Sequence, residues 1–143
     1  MSRRELREHI FKYLFRIEFH GREEMPEQEQ FFFETLDMEA EEHQTAKVKD
    51  DDAAYISAKS NKIIEKLDEI DAMINKQAKG WTTQRMGKVD LTILRLAVYE
   101  IVFDEDVPTG VAINEAVELA KRFGQEESSG FVNGVLAKFA PVS

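Results

Sequence analysis

The sequence predicts an all-α protein of about six or seven helices, packed as two small helical sub-bundles. Apolar residues recur at helical spacing along most of the chain, and glycine and proline mark the ends of several of these segments. No convincing strand, internal repeat or low-complexity tract interrupts the pattern. A chain of 143 residues is long enough for one domain. We therefore expect a single domain, with sub-bundles at about residues 1–79 and 80–143.

The first predicted helix covers residues 3–19 and ends at His20-Gly21. One apolar face is formed by Leu6, Ile10, Tyr13, Leu14 and Ile17. At about 100° per residue, Arg4 and Arg7 lie beside Phe11 and Phe15 on one shoulder of this helix.

The next two helices are predicted at residues 27–43, after the turn Met25-Pro26, and from the aspartates at 50–52 to Gln77. The longer one has a narrow apolar seam formed by Ile56, Ile63, Leu67, Ile70 and Ile74. Whether residues 22–50 form one helix or two pieces is left open by the pattern.

Gly80 ends that helix, and Trp81-Thr82-Thr83 begins a short link of about one turn. Residues 91–102 are apolar almost all round, which predicts a central buried helix with Asp90 as its N-cap. A β-strand is the competing interpretation, but a dozen residues without a turn signal favour a helix. Two further helices follow, the first ending at Gly124 and the second capped by Ser128 or Ser129 and terminated by Pro141.

Composition restricts the class of protein. The chain has no cysteine, no apolar run long enough for a membrane helix and no secretion signal at its start, which together favour the cytoplasm. His9, His20 and His43 are scattered without metal-ligand spacing. No phosphate-binding glycine loop or nucleophile motif occurs. We therefore expect no catalytic residues, no metal and no cofactor.

Charge is unevenly distributed. The formal net charge is −9 and the pI about 4.9, which alone argues against binding nucleic acid. Residues 1–16, however, carry five basic side chains against two acidic ones. A basic tip on an acidic body can bind RNA locally, with strong salt dependence.

Four segments carry a resemblance to a known family. VPTGVAINEAVELAK and the later GFVNGVL resemble the signature of the NusB family of bacterial transcription antitermination factors, and GKVDLTILRLAVYEI and SRRELREHIFKYLF also fit it. The resemblance implies a helical fold of two sub-bundles. It also implies a function without catalysis: binding the boxA element of nascent RNA, notably from ribosomal RNA operons, together with the ribosomal protein NusE.

The resemblance implies an RNA site that joins basic and aromatic side chains. Its residues in this chain are Arg3, Arg4, Arg7, Phe15, Glu127 and Phe131. Arginine can hold phosphates bidentately, and aromatic rings can stack on bases. Glu127 could accept a hydrogen bond from a base amino group or simply cap a helix. Lys121 and Arg122 could extend the basic surface or only complement a helix dipole.

A second surface is expected to bind NusE and so tether the RNA to the RNA polymerase antitermination complex. An acidic surface suits a basic ribosomal protein, and Asp90, Tyr99 and Glu100 are the candidates. Asp90 has a competing role as N-cap, and Tyr99 is also a typical core residue. The alternative function is a helical protein-interaction module or homodimer that does not bind RNA itself. The apolar seam is the basis for the homodimer. The sequence leaves monomer or homodimer open, and no membrane partner is expected.

Overall fold

The computed structural model describes residues 1–140, which contain eight α-helices and no β-strand. The helices are α1 (Arg3–Phe15), α2 (Ile17–His20), α3 (Met25–Glu42), α4 (Asp50–Glu65), α5 (Leu67–Gln77), α6 (Lys88–Phe103), α7 (Thr109–Phe123) and α8 (Ser128–Ala137). The predicted all-α class is confirmed. Within residues 1–140, no helix combines the length and apolarity needed to cross a bilayer. The predicted stop at Pro141 lies outside the described residues.

Two of the predicted helices are each divided into two. The first is interrupted at Arg16, whose N–H bonds to the Tyr13 carbonyl at 3.1 Å in a tighter turn. The longer one is interrupted at Lys66, where φ −96° and ψ 7° depart from helical values. The segment that the sequence left open is one helix, α3, flanked by a 3-10 turn at Arg22–Glu24 and an irregular connector before α4.

The chain divides into two compact units, of which the first comprises Met1–Ile64 and the second begins at Glu65. The break at Lys66 places α5 in the second unit, whereas the sequence pattern suggested a division near residue 79. Helix α5 packs against α6, and Arg95 of α6 donates two hydrogen bonds to the Asp71 carboxylate of α5, at 2.9 and 2.8 Å. This bidentate ion pair joins the two helices.

The core of the first unit is built around Tyr13 of α1. Its ring lies 5.3 Å from the ring of Phe32 on α3, and its hydroxyl donates to the Met25 carbonyl at 2.9 Å. Burial, assisted by Glu29, raises the pKa of Tyr13 to about 12. The phenol therefore stays neutral and remains a hydrogen-bond donor at neutral pH.

The second unit is organised around α6, which packs against α5, α7 and α8. Nine of its sixteen residues are buried, which confirms the predicted central helix. Its N-cap is Gly87, so the prediction that Asp90 caps it is wrong. Asp90 lies in the first helical turn instead. Gly124 ends α7 as predicted, with its N–H bonded to the Ala120 carbonyl at 2.9 Å.

Candidate functional site

The N-terminal turn of α1 presents Arg3 and Arg4 as exposed side chains. A capping box holds this turn in place, since the Ser2 hydroxyl accepts from the Glu5 N–H at 3.1 Å and the Ser2 N–H donates to the Glu5 carboxylate at 3.4 Å. The terminal amine also contacts the Asp52 carboxylate at 3.2 Å. The basic tip is therefore a folded helix end and not a loose tail.

Arg7 does not belong to that exposed tip. Its side chain is only 8% exposed, because helical spacing aligns it with the core residues Ile10, Phe11 and Leu14 of α1. The expectation that Arg7 contacts RNA is corrected accordingly. Arg7 contributes to the fold, and the candidate basic surface is reduced to Arg3 and Arg4.

Phe15 lies in a run of three aromatic rings on α1 and α2. Its ring centroid is 6.2 Å from that of Phe11, nearly parallel, and 5.2 Å from that of Phe19, edge to face. Phe15 is half-buried, whereas Phe19 is 62% exposed. Sequence reasoning missed Phe19 because it placed this residue at the end of one continuous helix. The exposed ring beside Phe15 is a second candidate stacking surface.

A cavity of about 750 Å³ lies in the second unit. Its lining combines aromatic, acidic, basic and amide side chains, among them Trp81, Lys88, Asp90, Gln125, Glu127 and Phe131. Glu127 and Phe131 were predicted for RNA and Asp90 for a protein partner, yet the fold brings all three to this one cavity. Helices α6 and α8 supply them because both helices begin at its edge.

Glu127 has no capping role in this fold. It precedes α8 at the N-cap position, but its side chain makes no capping hydrogen bond and is exposed. The predicted serine cap is also absent, since the Ser128 hydroxyl accepts instead from the Gln125 N–H at 2.9 Å. The structure therefore excludes helix capping by Glu127. The other interpretation remains, in which its carboxylate accepts a hydrogen bond from a base.

Trp81 is a residue of this cavity that sequence reasoning assigned only to a link between helices. Its ring centroid lies 5.7 Å from that of Phe131, with the planes at 68°. The side chain is 51% exposed. The sequence pattern did not indicate a functional role for Trp81, because the apolar periodicity stops at Gly80 and resumes only on α6.

Two of the candidate partner residues are buried. Glu100 is 0% exposed and Tyr99 is 8% exposed, because both lie on the central helix α6. Neither side chain can reach a partner on the folded chain, so this part of the sequence prediction is corrected. Asp90 keeps partial exposure in the first turn of α6.

The last turn of α7 carries the two basic residues whose role the sequence left open. Lys121 pairs with Glu118 at 3.7 Å, and the Arg122 guanidinium lies 5.1 Å from the centre of the Phe123 ring. Both side chains are exposed. Over residues 1–140 there is no group of three or more histidine, cysteine, aspartate or glutamate side chains that could hold a metal ion.

Comparison with known proteins identifies relatives along nearly the whole chain. A sequence model of the NusB family matches residues 4–141. The transcription antitermination protein NusB of Agathobacter rectalis is 51% identical over 140 residues, which cover 98% of this chain and 100% of that protein. NusB of T. maritima is similar in structure, with a TM-score of 0.81 and 36% identity over 98% of this chain and 91% of that one.

A solved structure of antitermination factors NusB and NusE in complex with dsRNA is also similar. Its TM-score is 0.75, with 28% identity over 97% of each chain. The family match and the half-identical relative each span almost the entire sequence. The chain therefore belongs to the NusB family of transcription antitermination proteins, which regulate transcription without catalysing a reaction.

Proposed function

We propose that the protein binds boxA-type RNA of nascent transcripts, notably those of ribosomal RNA operons, together with NusE. The observation that carries this proposal is the family match over residues 4–141. The similarity to a NusB chain that was solved with NusE and dsRNA supports it, because that similarity covers 97% of this chain.

The first contact surface for RNA is the basic tip, Arg3 and Arg4. Both guanidinium groups are exposed at the start of a capped helix, where they can contact phosphates without disturbing the core. The net charge of −9 repels RNA from most of the remaining surface. Binding is therefore local and strongly dependent on salt.

Bases are contacted by aromatic rings and a carboxylate. Phe15 and Phe19 offer rings on the first unit, and Phe131 lies at the cavity of the second unit beside Glu127. Stacking tolerates any base, whereas a carboxylate accepts selectively from the amino group of cytosine or adenine. These contacts add sequence preference to the phosphate contacts of the basic tip.

NusE binds an acidic surface that includes Asp90. A ribosomal protein is typically basic, so an acidic partner favours association by charge. NusE then links the RNA-bound protein to the RNA polymerase antitermination complex, in the cytoplasm where transcription takes place. Such a tether raises the local concentration of its partners, so modest individual affinities suffice.

The apolar seam no longer supports the homodimer alternative, because its side chains are buried within the chain. This seam, from Ile56 on α4 to Ile74 on α5, is at most 2% exposed at each of its five positions. A second copy of the chain cannot pack on side chains that are already buried. Light scattering coupled to size-exclusion chromatography measures the oligomeric state independently of RNA.

The test is fluorescence anisotropy with a single-stranded boxA-like RNA, a scrambled RNA of equal length and a duplex control, each with and without NusE. The proposal predicts tighter binding to the boxA-like strand than to the scrambled strand, and a further gain when NusE is present. Equal affinity for all three RNAs in both conditions contradicts the proposal.

A further inference from the structure

Trp81 is the most exposed ring at the cavity of the second unit, and it is the only tryptophan in the chain. Its backbone N–H bonds to the Ala78 carbonyl at 2.9 Å. Two residues later the Thr83 N–H bonds to the Asn75 side chain at 2.8 Å. The link that carries the ring is therefore fixed to the end of α5, while the ring itself remains half in solvent.

The arrangement of the two rings decides which of them can stack on a ligand. Trp81 and Phe131 lie with their planes at 68°, so a flat ligand can be parallel to only one of them. Phe131 is the less exposed ring and supports Trp81 edge to face. The indole consequently offers the larger and more accessible face.

The groups around the rings match the edges of a nucleobase. Gln125 and Lys88 can donate hydrogen bonds, and Glu127 can accept them, at the same cavity. A cavity of about 750 Å³ can accommodate a nucleotide-sized ligand. A flat aromatic face beside both donors and acceptors is typical of sites that hold an unstacked base of single-stranded RNA.

We infer that Trp81 stacks on one unpaired base of the bound RNA at this cavity, with Phe131 as its support and not as the stacking surface. The inference rests on the proposed function, because it names the group at the cavity that contacts the RNA. It changes the assignment made from the sequence, in which Phe131 was one of two stacking rings, with Phe15.

The first test compares Trp81→Ala and Trp81→Phe in binding to the single-stranded boxA-like RNA with NusE present. Loss of one stacked base predicts binding about 5- to 150-fold weaker for Trp81→Ala, with most of the affinity restored in Trp81→Phe. Phe31→Ala removes an exposed ring from α3 and serves as the matched control, with affinity unchanged. Thermal unfolding of each variant shows whether it is folded.

The second test uses a series of boxA-like RNAs, each of which lacks the base at a different position. When the missing base is the one that stacks on Trp81, the wild type binds that RNA more weakly than the intact RNA. The Trp81→Ala variant binds the two RNAs equally well. Emission from Trp81, taken as the difference between wild type and Trp81→Phe, is quenched by the intact RNA and not by that abasic RNA.

The outcomes separate the inference from the proposed function. Wild-type binding that depends on Arg3 and Arg4 but is unchanged in folded Trp81→Ala overturns the inference and leaves the function intact. A wild type that binds no RNA, even with NusE, overturns both.

Discussion

Arg4 and Arg7 lie within one turn of each other on α1, yet their environments are opposite. Arg4 is exposed beside the helix start, and Arg7 is buried against the apolar face. A charged side chain at a core position must be satisfied by partners, so its removal costs stability. The same residue type is therefore exposed for the proposed RNA contact at one position and contributes to the fold at the other.

We predict that Arg7→Gln lowers the free energy of unfolding by about 1–3 kcal/mol, because it disturbs a buried charged group. Arg3→Gln should change it by less than about 0.5 kcal/mol, since an exposed residue is replaced. Urea denaturation followed by circular dichroism measures both. Equal stability of the two variants contradicts the assignment of Arg7 to the fold.

His9 gives α1 a dependence on pH. Burial lowers the pKa of its imidazole below the ordinary 6.5, Lys12 lowers it further, and Glu8, Glu5 and Glu39 oppose the shift. The Nδ1 atom is buried without a hydrogen-bond partner. The folded chain therefore binds a proton at His9 less readily than the unfolded chain does.

Because this pKa is lowered on folding, its contribution to stability is present above about pH 6.5 and is lost as the pH falls. We predict that the free energy of unfolding decreases from pH 7 to pH 5, and that His9→Gln reduces this decrease. Urea titrations at several pH values measure it. An identical pH dependence in wild type and variant refutes the role of His9.

At the scale of elements, the helix ends were only partly predictable. Gly21 and Gly124 end α2 and α7 as the sequence indicated, because glycine is a strong local signal. The breaks at Arg16 and Lys66 carry no glycine or proline, and the apolar spacing continues through both. Such breaks depend on tertiary packing, which the local pattern does not contain.

Two glycines of the second unit are predicted to respond in opposite ways to alanine. A Cβ at Gly124 would lie 2.6 Å from the Ser128 Cβ and 2.7 Å from the Ala120 carbonyl oxygen. Gly134, within α8, has nothing within 4 Å of an added Cβ. We predict that Gly124→Ala destabilises by about 1–3 kcal/mol and that Gly134→Ala stabilises by about 0.5–1 kcal/mol.

Thermal and urea unfolding of both glycine variants test this pair, with Gly134→Ala as the control for a general effect of alanine. A stabilising Gly124→Ala would show that the turn between α7 and α8 has room for a Cβ at this position.

For the whole molecule, the helical class and the central position of α6 follow from periodicity alone, whereas the candidate site does not. Phe131 could be assigned because the family segment GFVNGVL contains it, and Glu127 because the resemblance extends to the residues just before that segment. Trp81 lies outside the periodic segments, and the burial of Glu100 depends on neighbours far along the chain. A sequence pattern specifies which face of a helix is apolar better than it specifies what covers that face.

The distribution of charge over the molecule explains how an acidic protein can bind RNA. In the proposed function, Arg3 and Arg4 provide the positive region that contacts phosphates, and the net negative charge of the chain disfavours phosphate contacts over the remaining surface. Each arginine that contacts a phosphate of single-stranded RNA contributes about 0.7 to the slope of log affinity against log salt. We therefore expect these two side chains to carry the phosphate contacts of the bound RNA.

The most direct measurement is the salt dependence of boxA-like RNA binding for wild type and for the double variant Arg3→Gln, Arg4→Gln. Lys47→Gln with Lys49→Gln is the matched control, since it removes two exposed positive charges from the connector before α4. The predicted result is a slope reduced by roughly 1.4 in the arginine variant only. An unchanged slope, or an equal reduction in the lysine control, contradicts the assignment of the RNA surface to α1.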